Sequence, residues 1–190
     1  VGLIPPGVNI GGALAQPGDV VLLSGPIGDH GIAVLAARGE LGFETDLHSD
    51  VAPLNHLVER LLAACPGVHV LRDPTRGGLG TTLNEITRQS GVCIEIEEKA
   101  IPVRPQVTAA CEMLGFDPLY IANEGKLVAV IAPAQAEQAL AAMRADSYGR
   151  DAVIIGAVQP APSGRVLLRT SLGSRRVVEM LAGELLPRIC

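Results

Sequence analysis

The stretch GVHVLRDPTRGGLGTTLNEITRQSG, residues 67–91, constrains the fold more than any other part of the chain. It opens as a short apolar strand, then switches to helical period with Leu79, Leu83 and Ile86 on one stripe, and Gly91 supplies a helix stop. A chain with such a unit must lay a helix across a sheet. The joint between them, DPTRGGLG, places three glycines in the first turn, where free backbone amides and the helix dipole attract anions, phosphate above all. Its G-G-x-G spacing is not the dinucleotide G-x-G-x-x-G, and the Lys-Ser or Lys-Thr of a P-loop is missing. The pattern therefore leaves phosphate contact through Gly77, Gly78 and Gly80 and a tight packing turn both open. Asp73 and Arg76 either position a ligand there or pair with each other.

The remaining elements follow from the same two periods. DVVLLSG reads as a strand, and GDHGIAVLAARGE as a helix with Asp29 as its cap. Residues 43–50 read as loop, and a second helix opens behind Ser49 and Asp50 with Pro53 in its first turn. Leu54, Leu57, Val58, Leu61, Leu62 and Cys65 share one face of it, while His56 and Glu59 point outward. VCIEIEE alternates as a strand with one solvated face, Pro105 to Leu114 is helical, and KLVAVIAP is a buried strand. QAEQALAAMRAD is helical, AVIIGAVQ is a strand, and VLLRTSLGSRRVVEM turns back as a hairpin around residues 172–174. The order predicts an α+β domain, a mixed sheet covered by helices.

Three segments are expected. Residues 1–18, a Gly- and Pro-rich stretch without period, read as an interdomain arm; 19–180 form the domain; 181–190 form a flexible tail. A chain that starts at Val1 with such an arm is expected to be the second half of a longer protein.

Composition narrows the function. Aromatic residues make up only 2% of the 190, the net charge is -5, and no block of Lys or Arg occurs, which argues against a nucleic-acid partner. No signal peptide and no apolar run of membrane length is visible, so a cytoplasmic protein without membrane contact is expected. Cysteines at 65, 93, 111 and 190 fit no zinc spacing, so no metal site is assigned to them. The first three lie among apolar neighbours and read as buried thiols.

Two further groups are candidates for chemistry. Glu124, in the NEG ahead of the buried strand, reads as a turn residue or as a general base. His30, in GDHG, reads as a packing residue or an active-site neighbour. The last residue, Cys190, carries a thiol on the chain's final position, where a frayed end is the ordinary expectation.

GDHG, RDPTRGGLG, IANEGKL and the final PRIC together resemble the second domain of the HypE family, the carbamoyl dehydratases of nickel-iron hydrogenase maturation. The resemblance runs from IPPGVN to Cys190. The wider superfamily includes aminoimidazole ribonucleotide synthetase and selenophosphate synthetase, and the resemblance implies the C-terminal α+β fold of that group. It also implies that Cys190 receives a carbamoyl group from the HypF carbamoyltransferase. ATP with Mg2+ then activates the amide oxygen, Glu124 acts as the base, and an S-cyanide passes to iron on a HypC–HypD scaffold.

A homodimer is implied for the full-length protein. The family's ATP-binding first domain has no counterpart in these 190 residues, and neither Lys99 nor Lys126 matches its catalytic lysine. The chain alone is accordingly expected to hold no cofactor and to leave ATP unturned. Two alternatives stand beside this reading: another synthetase of the superfamily, and a docking or dimerisation domain without catalysis.

Overall fold

Residues 128–131 are apolar at every position, and in a strand that pattern demands cover on both faces. The computed structural model describes residues 6–39 and 45–181, and shows how the cover is supplied. Strand β1 (Val20–Leu23) and strand β4 (Val128–Ile131) pair antiparallel, with Val21 opposite Val130. Val21, Leu23, Val128 and Val130 face one apolar cluster, whereas Leu22, Ala129 and Ile131 face another. The two-residue period of the strand thus divides its side chains between two helical layers.

The other strands are β2 (Val68–Arg72), β3 (Cys93–Glu97), β5 (Val153–Gln159), β6 (Arg165–Arg169) and β7 (Arg175–Val178). They complete a seven-stranded sheet in the order β2-β4-β1-β5-β3-β6-β7. All neighbours are antiparallel except β3 and β6, so the sheet is mixed as expected. The parallel pair arises because the chain leaves β5 on one side of β3 and returns on the other. The crossing is tied down by Gly164, whose amide donates to the Val92 carbonyl at 2.8 Å, and by the Ser163 hydroxyl, which donates to the Gly91 carbonyl at 2.9 Å.

Helix α3 (Gly78–Ser90) lays Leu79, Leu83 and Ile86 on the first face. Helices α2 (Asn55–Ala64) and α5 (Ala136–Arg144) cover the second with Leu57, Leu61, Leu140 and Met143. A third cluster joins α1 (Asp29–Ala37) to α4 (Pro105–Leu114) through Ile32, Val107, Cys111 and Ile121. His56 and Glu59 are exposed and the hairpin of β6 and β7 forms, both as the pattern predicts.

Three local expectations are corrected. Asp29 is not the cap of α1; Gly28 holds that position with φ +88°, and Asp29 is the first helical residue. Helix α2 starts at Asn55 rather than directly behind Ser49 and Asp50, because those two side chains are drawn to polar partners elsewhere. The expected solvated face of β3 is covered at Glu95 and open at Glu97: Arg169 and Arg175 lie over Glu95, whose side chain is 12% exposed, while that of Glu97 is 45% exposed. The Arg169 hydrogen bond holds the Glu95 carboxyl below its ordinary range.

The Gly- and Pro-rich stretch before β1 is anchored. Gly11 donates to the His69 carbonyl at 3.0 Å, and the Ser90 hydroxyl donates to the Gly12 carbonyl at 3.0 Å. The expected tail, including Cys190, falls outside the described residues from residue 182 onward.

Candidate functional site

The register brings three distant motifs to one end of the sheet. Leu23 ends β1 and Arg72 ends β2, and both lie opposite Val128, which begins β4. The GDHG that follows β1, the DPTRGGLG that follows β2 and the NEGK that precedes β4 therefore meet there. Asn123, fully buried, fastens all three. Its Oδ1 accepts the Gly28 amide at 2.8 Å, and its Nδ2 donates to the carbonyls of Pro74 and Ile121, each at 3.0 Å. A buried amide with these bonds satisfied is a rigid joint, because losing any of them leaves a polar group stranded away from water.

Glu124 stands next to this joint, half-buried, at the turn into β4. Its amide donates to Asp50 Oδ1 at 3.0 Å, and Asp50 Oδ2 lies 3.0 Å from Lys126 Nζ. The Asp50 and Lys126 side chains are 4% and 10% exposed. Between them Gly125 has no room for a side chain, since a Cβ there would sit 1.8 Å from the Asp50 carbonyl oxygen. His30, also buried, places Nδ1 2.8 Å from the Ser49 hydroxyl, and its Nε2 has no hydrogen-bond partner among the described residues.

Asp50, Ser49 and Lys126 line a cleft of about 430 Å³ that also takes Asp29, Arg104 and Tyr148 into its walls. Asp29 is buried, and Arg104 Nε donates to its Oδ2 at 2.9 Å. Burial pushes the Asp29 carboxyl up from its ordinary value, against the pull of the Arg104 hydrogen bond. The cleft is thus lined by two acid–base pairs, Asp50 with Lys126 and Asp29 with Arg104.

The predicted residues divide into two groups. Glu124 and His30 are brought together, through Asp50 and the adjoining Ser49. Asp73 and Arg76 are not drawn in; both side chains are exposed, and no ion pair joins them among the described residues. Asp73 accepts instead from the Thr75 hydroxyl at 2.8 Å. Gly78 and Gly80 are buried by packing: a Cβ on Gly78 would lie 2.6 Å from the carbonyl oxygens of Leu119 and Ile121, and one on Gly80 would lie 2.8 Å from the Tyr120 ring. Gly77 holds the N-cap of α3 at φ +68°.

Asn123, Asp50, Lys126 and the Asp29–Arg104 pair are site residues that the sequence reading did not single out. A polar Asn directly behind the apolar pair Ile121 and Ala122 is the one local signal that points to any of them.

Lys126 and Arg104 are committed to carboxylates, and no group of three or more His, Cys, Asp or Glu that could hold a metal ion converges among the described residues. Nor, among them, is any helix long and apolar enough to cross a membrane.

Known proteins share this architecture. Residues 16–169 match the family model described as AIR synthase related protein, C-terminal domain. Carbamoyl dehydratase HypE of Cupriavidus necator is 58% identical over the whole of this chain, which covers 54% of that relative. A crystal structure of the hydrogenase maturation protein HypE in complex with ATP superposes with a TM-score of 0.89 at 47% identity, over 95% of this chain and 55% of that one. A HypE–HypF complex gives a TM-score of 0.85 at 50% identity, over 90% and 55% of the two chains. The chain spans about half the length of the curated relatives it matches.

Proposed function

The chain belongs to the AIR synthase related family, as a C-terminal domain of HypE type, and from that membership we propose that it forms half of an ATP-dependent carbamoyl dehydratase. The observation that carries the reading is the buried Asn123 joint, which sets Glu124 where GDHG, DPTRGGLG and NEGK meet. The synthetase alternative has less support, because relatives at 50% identity and above carry hydrogenase-maturation names. A pure docking role would leave Glu124 and its polar surroundings without a task.

The chemistry begins with a carbamoyl group on the Cys190 sulfur, S–C(=O)–NH2, supplied by HypF. An amide oxygen is a poor leaving group, and phosphoryl transfer from ATP turns it into phosphate. The nitrogen must shed two protons and the C–O bond must break to leave S–C≡N. Glu124 removes a proton from that nitrogen, and the carboxylate needs to be ionised and within hydrogen-bond reach to do so. Asn123 and Asp50 hold its turn in place. Transfer of the cyano group to iron on a HypC–HypD scaffold breaks the S–C bond, returns the Cys190 thiolate and takes up two electrons from a reductant, with the full-length protein acting as a cytoplasmic homodimer. Phosphate contact by Asp73, Arg76, Gly77, Gly78 and Gly80 belongs to the same proposal, and the exposed Arg76 is the group most open to it.

The test uses the full-length protein with HypF, carbamoyl phosphate and ATP, followed by mass spectrometry of the C-terminal peptide. Wild type is expected to show the cyano adduct on Cys190. Glu124→Gln is expected to stop at the carbamoyl adduct, one water heavier, with cyanide formation slowed about 100- to 10,000-fold, the usual worth of a general base. Ordinary cyanide formation by Glu124→Gln removes Glu124 from the mechanism.

A further inference from the structure

Asp50 has no place in any motif that led to the site, yet it touches three consecutive residues of the NEGK turn. Its Oδ1 takes the Glu124 amide, its carbonyl lies against Gly125 where no side chain fits, and its Oδ2 lies at ion-pair distance, 3.0 Å, from Lys126 Nζ. The turn is thereby fixed from two directions, by Asn123 on one side and by Asp50 on the other. A buried ion pair is by itself weak evidence for stability, since taking both charges out of water offsets most of their attraction. What the pair does supply is position, because one carboxylate locks a backbone amide and a lysine side chain into a single arrangement.

We infer that Asp50 is a positioning residue for dehydration, holding the Glu124 turn through the acceptor it offers to the Glu124 amide. The inference rests on the reading of Glu124 as the base. Asp50 does not touch the reacting atoms; it acts through the backbone of the residue that does. A misplacement of about 1 Å in such a group costs on the order of 100-fold in rate.

The experiment compares two double variants of the full-length protein that differ only in that acceptor. Asp50→Leu with Lys126→Met replaces the pair by apolar groups of similar size and removes the Asp50 acceptor from the Glu124 amide. Asp50→Asn with Lys126→Met removes both charges as well but keeps a carbonyl oxygen for the amide. Each is carbamoylated by HypF, then mixed with saturating ATP, and the conversion of carbamoyl to cyano adduct on Cys190 is followed in a single turnover.

The expected result is a loss of about 100-fold for the Leu/Met protein and recovery to within about 10-fold of wild type for the Asn/Met protein. Melting temperature and carbamoylation yield are expected to be alike in the two variants. Equal rates in the two variants overturn the inference, as does a loss in the Leu/Met protein that follows its melting temperature. Asp50→Ala with Lys126→Met serves as the acceptor-free member if the Leu/Met protein does not fold. Glu124→Gln runs alongside: if it makes cyanide normally the base reading falls, whereas if it stalls and the acceptor makes no difference, only the role of Asp50 falls.

Discussion

The two glycine-bearing turns at the end of the sheet, DPTRGGLG and NEGK, look alike as sequence and are built in opposite ways. The first buries its glycines and exposes its charges: Gly78 and Gly80 are filled against residues 119–121, while Asp73 and Arg76 face solvent. The second buries its polar groups: Asn123 is enclosed, Lys126 is paired within the fold, and Gly125 is bare because Asp50 occupies the space. Glycine richness therefore reports close packing in one turn and a polar clamp in the other. Under the proposed function, buried polar groups with specific partners, rather than glycines, mark the turn that carries the base.

The contrast can be broken most forcefully at Gly78. Alanine there meets two carbonyl oxygens at 2.6 Å and must adopt φ +62°, so Gly78→Ala is expected to cost about 3 kcal/mol or more of stability, read by urea denaturation. A loss below about 1 kcal/mol would show that the turn has slack and is open to a ligand.

Next in size is Asn123→Ala. It strands the Gly28 amide and the Pro74 carbonyl, for an expected loss of about 2 kcal/mol, and cyanide formation by the full-length protein should fall further than that loss explains. Activity that merely tracks stability would reduce the clamp to ordinary packing.

The smallest effect is expected at Arg76. Arg76→Ala should change stability by no more than about 0.5 kcal/mol, as for an exposed side chain free of ion pairs among the described residues. The KM for ATP of the full-length protein then sharpens the comparison. A raised KM assigns phosphate contact to the first turn, and an unchanged one leaves packing as its whole task.

The elements were legible where period and punctuation agree. Helix α4 runs from Pro105 to Leu114 as read, because a proline opens it and Gly115 at φ +70° stops it. β4 was legible because a short run of apolar residues ahead of a proline has few other homes. The site was legible only in part, since its logic is long-range. Asp50 meets the Glu124 amide across 74 positions, in a stretch with no period of its own. Asp29 was misread because an acidic residue at a helix start usually caps it, whereas here Gly28 is pressed so close to Val107 that only glycine fits the cap. The parallel pairing of β3 with β6 likewise depends on where β5 lies, which no local pattern encodes.

Burial of the internal cysteines gives the chain chemoselectivity. Cys65, Cys93 and Cys111 are free thiols packed inside the domain, and burial pushes all three up, Cys111 to about 11. At neutral pH Cys111 is thiolate to only about one part in ten thousand, and the thiolate is the nucleophile. An electrophile reaching this protein finds three of its four thiols both shielded and protonated. Under the proposed function, loading of Cys190 then requires no discrimination against these three buried thiols by the enzyme that delivers the group.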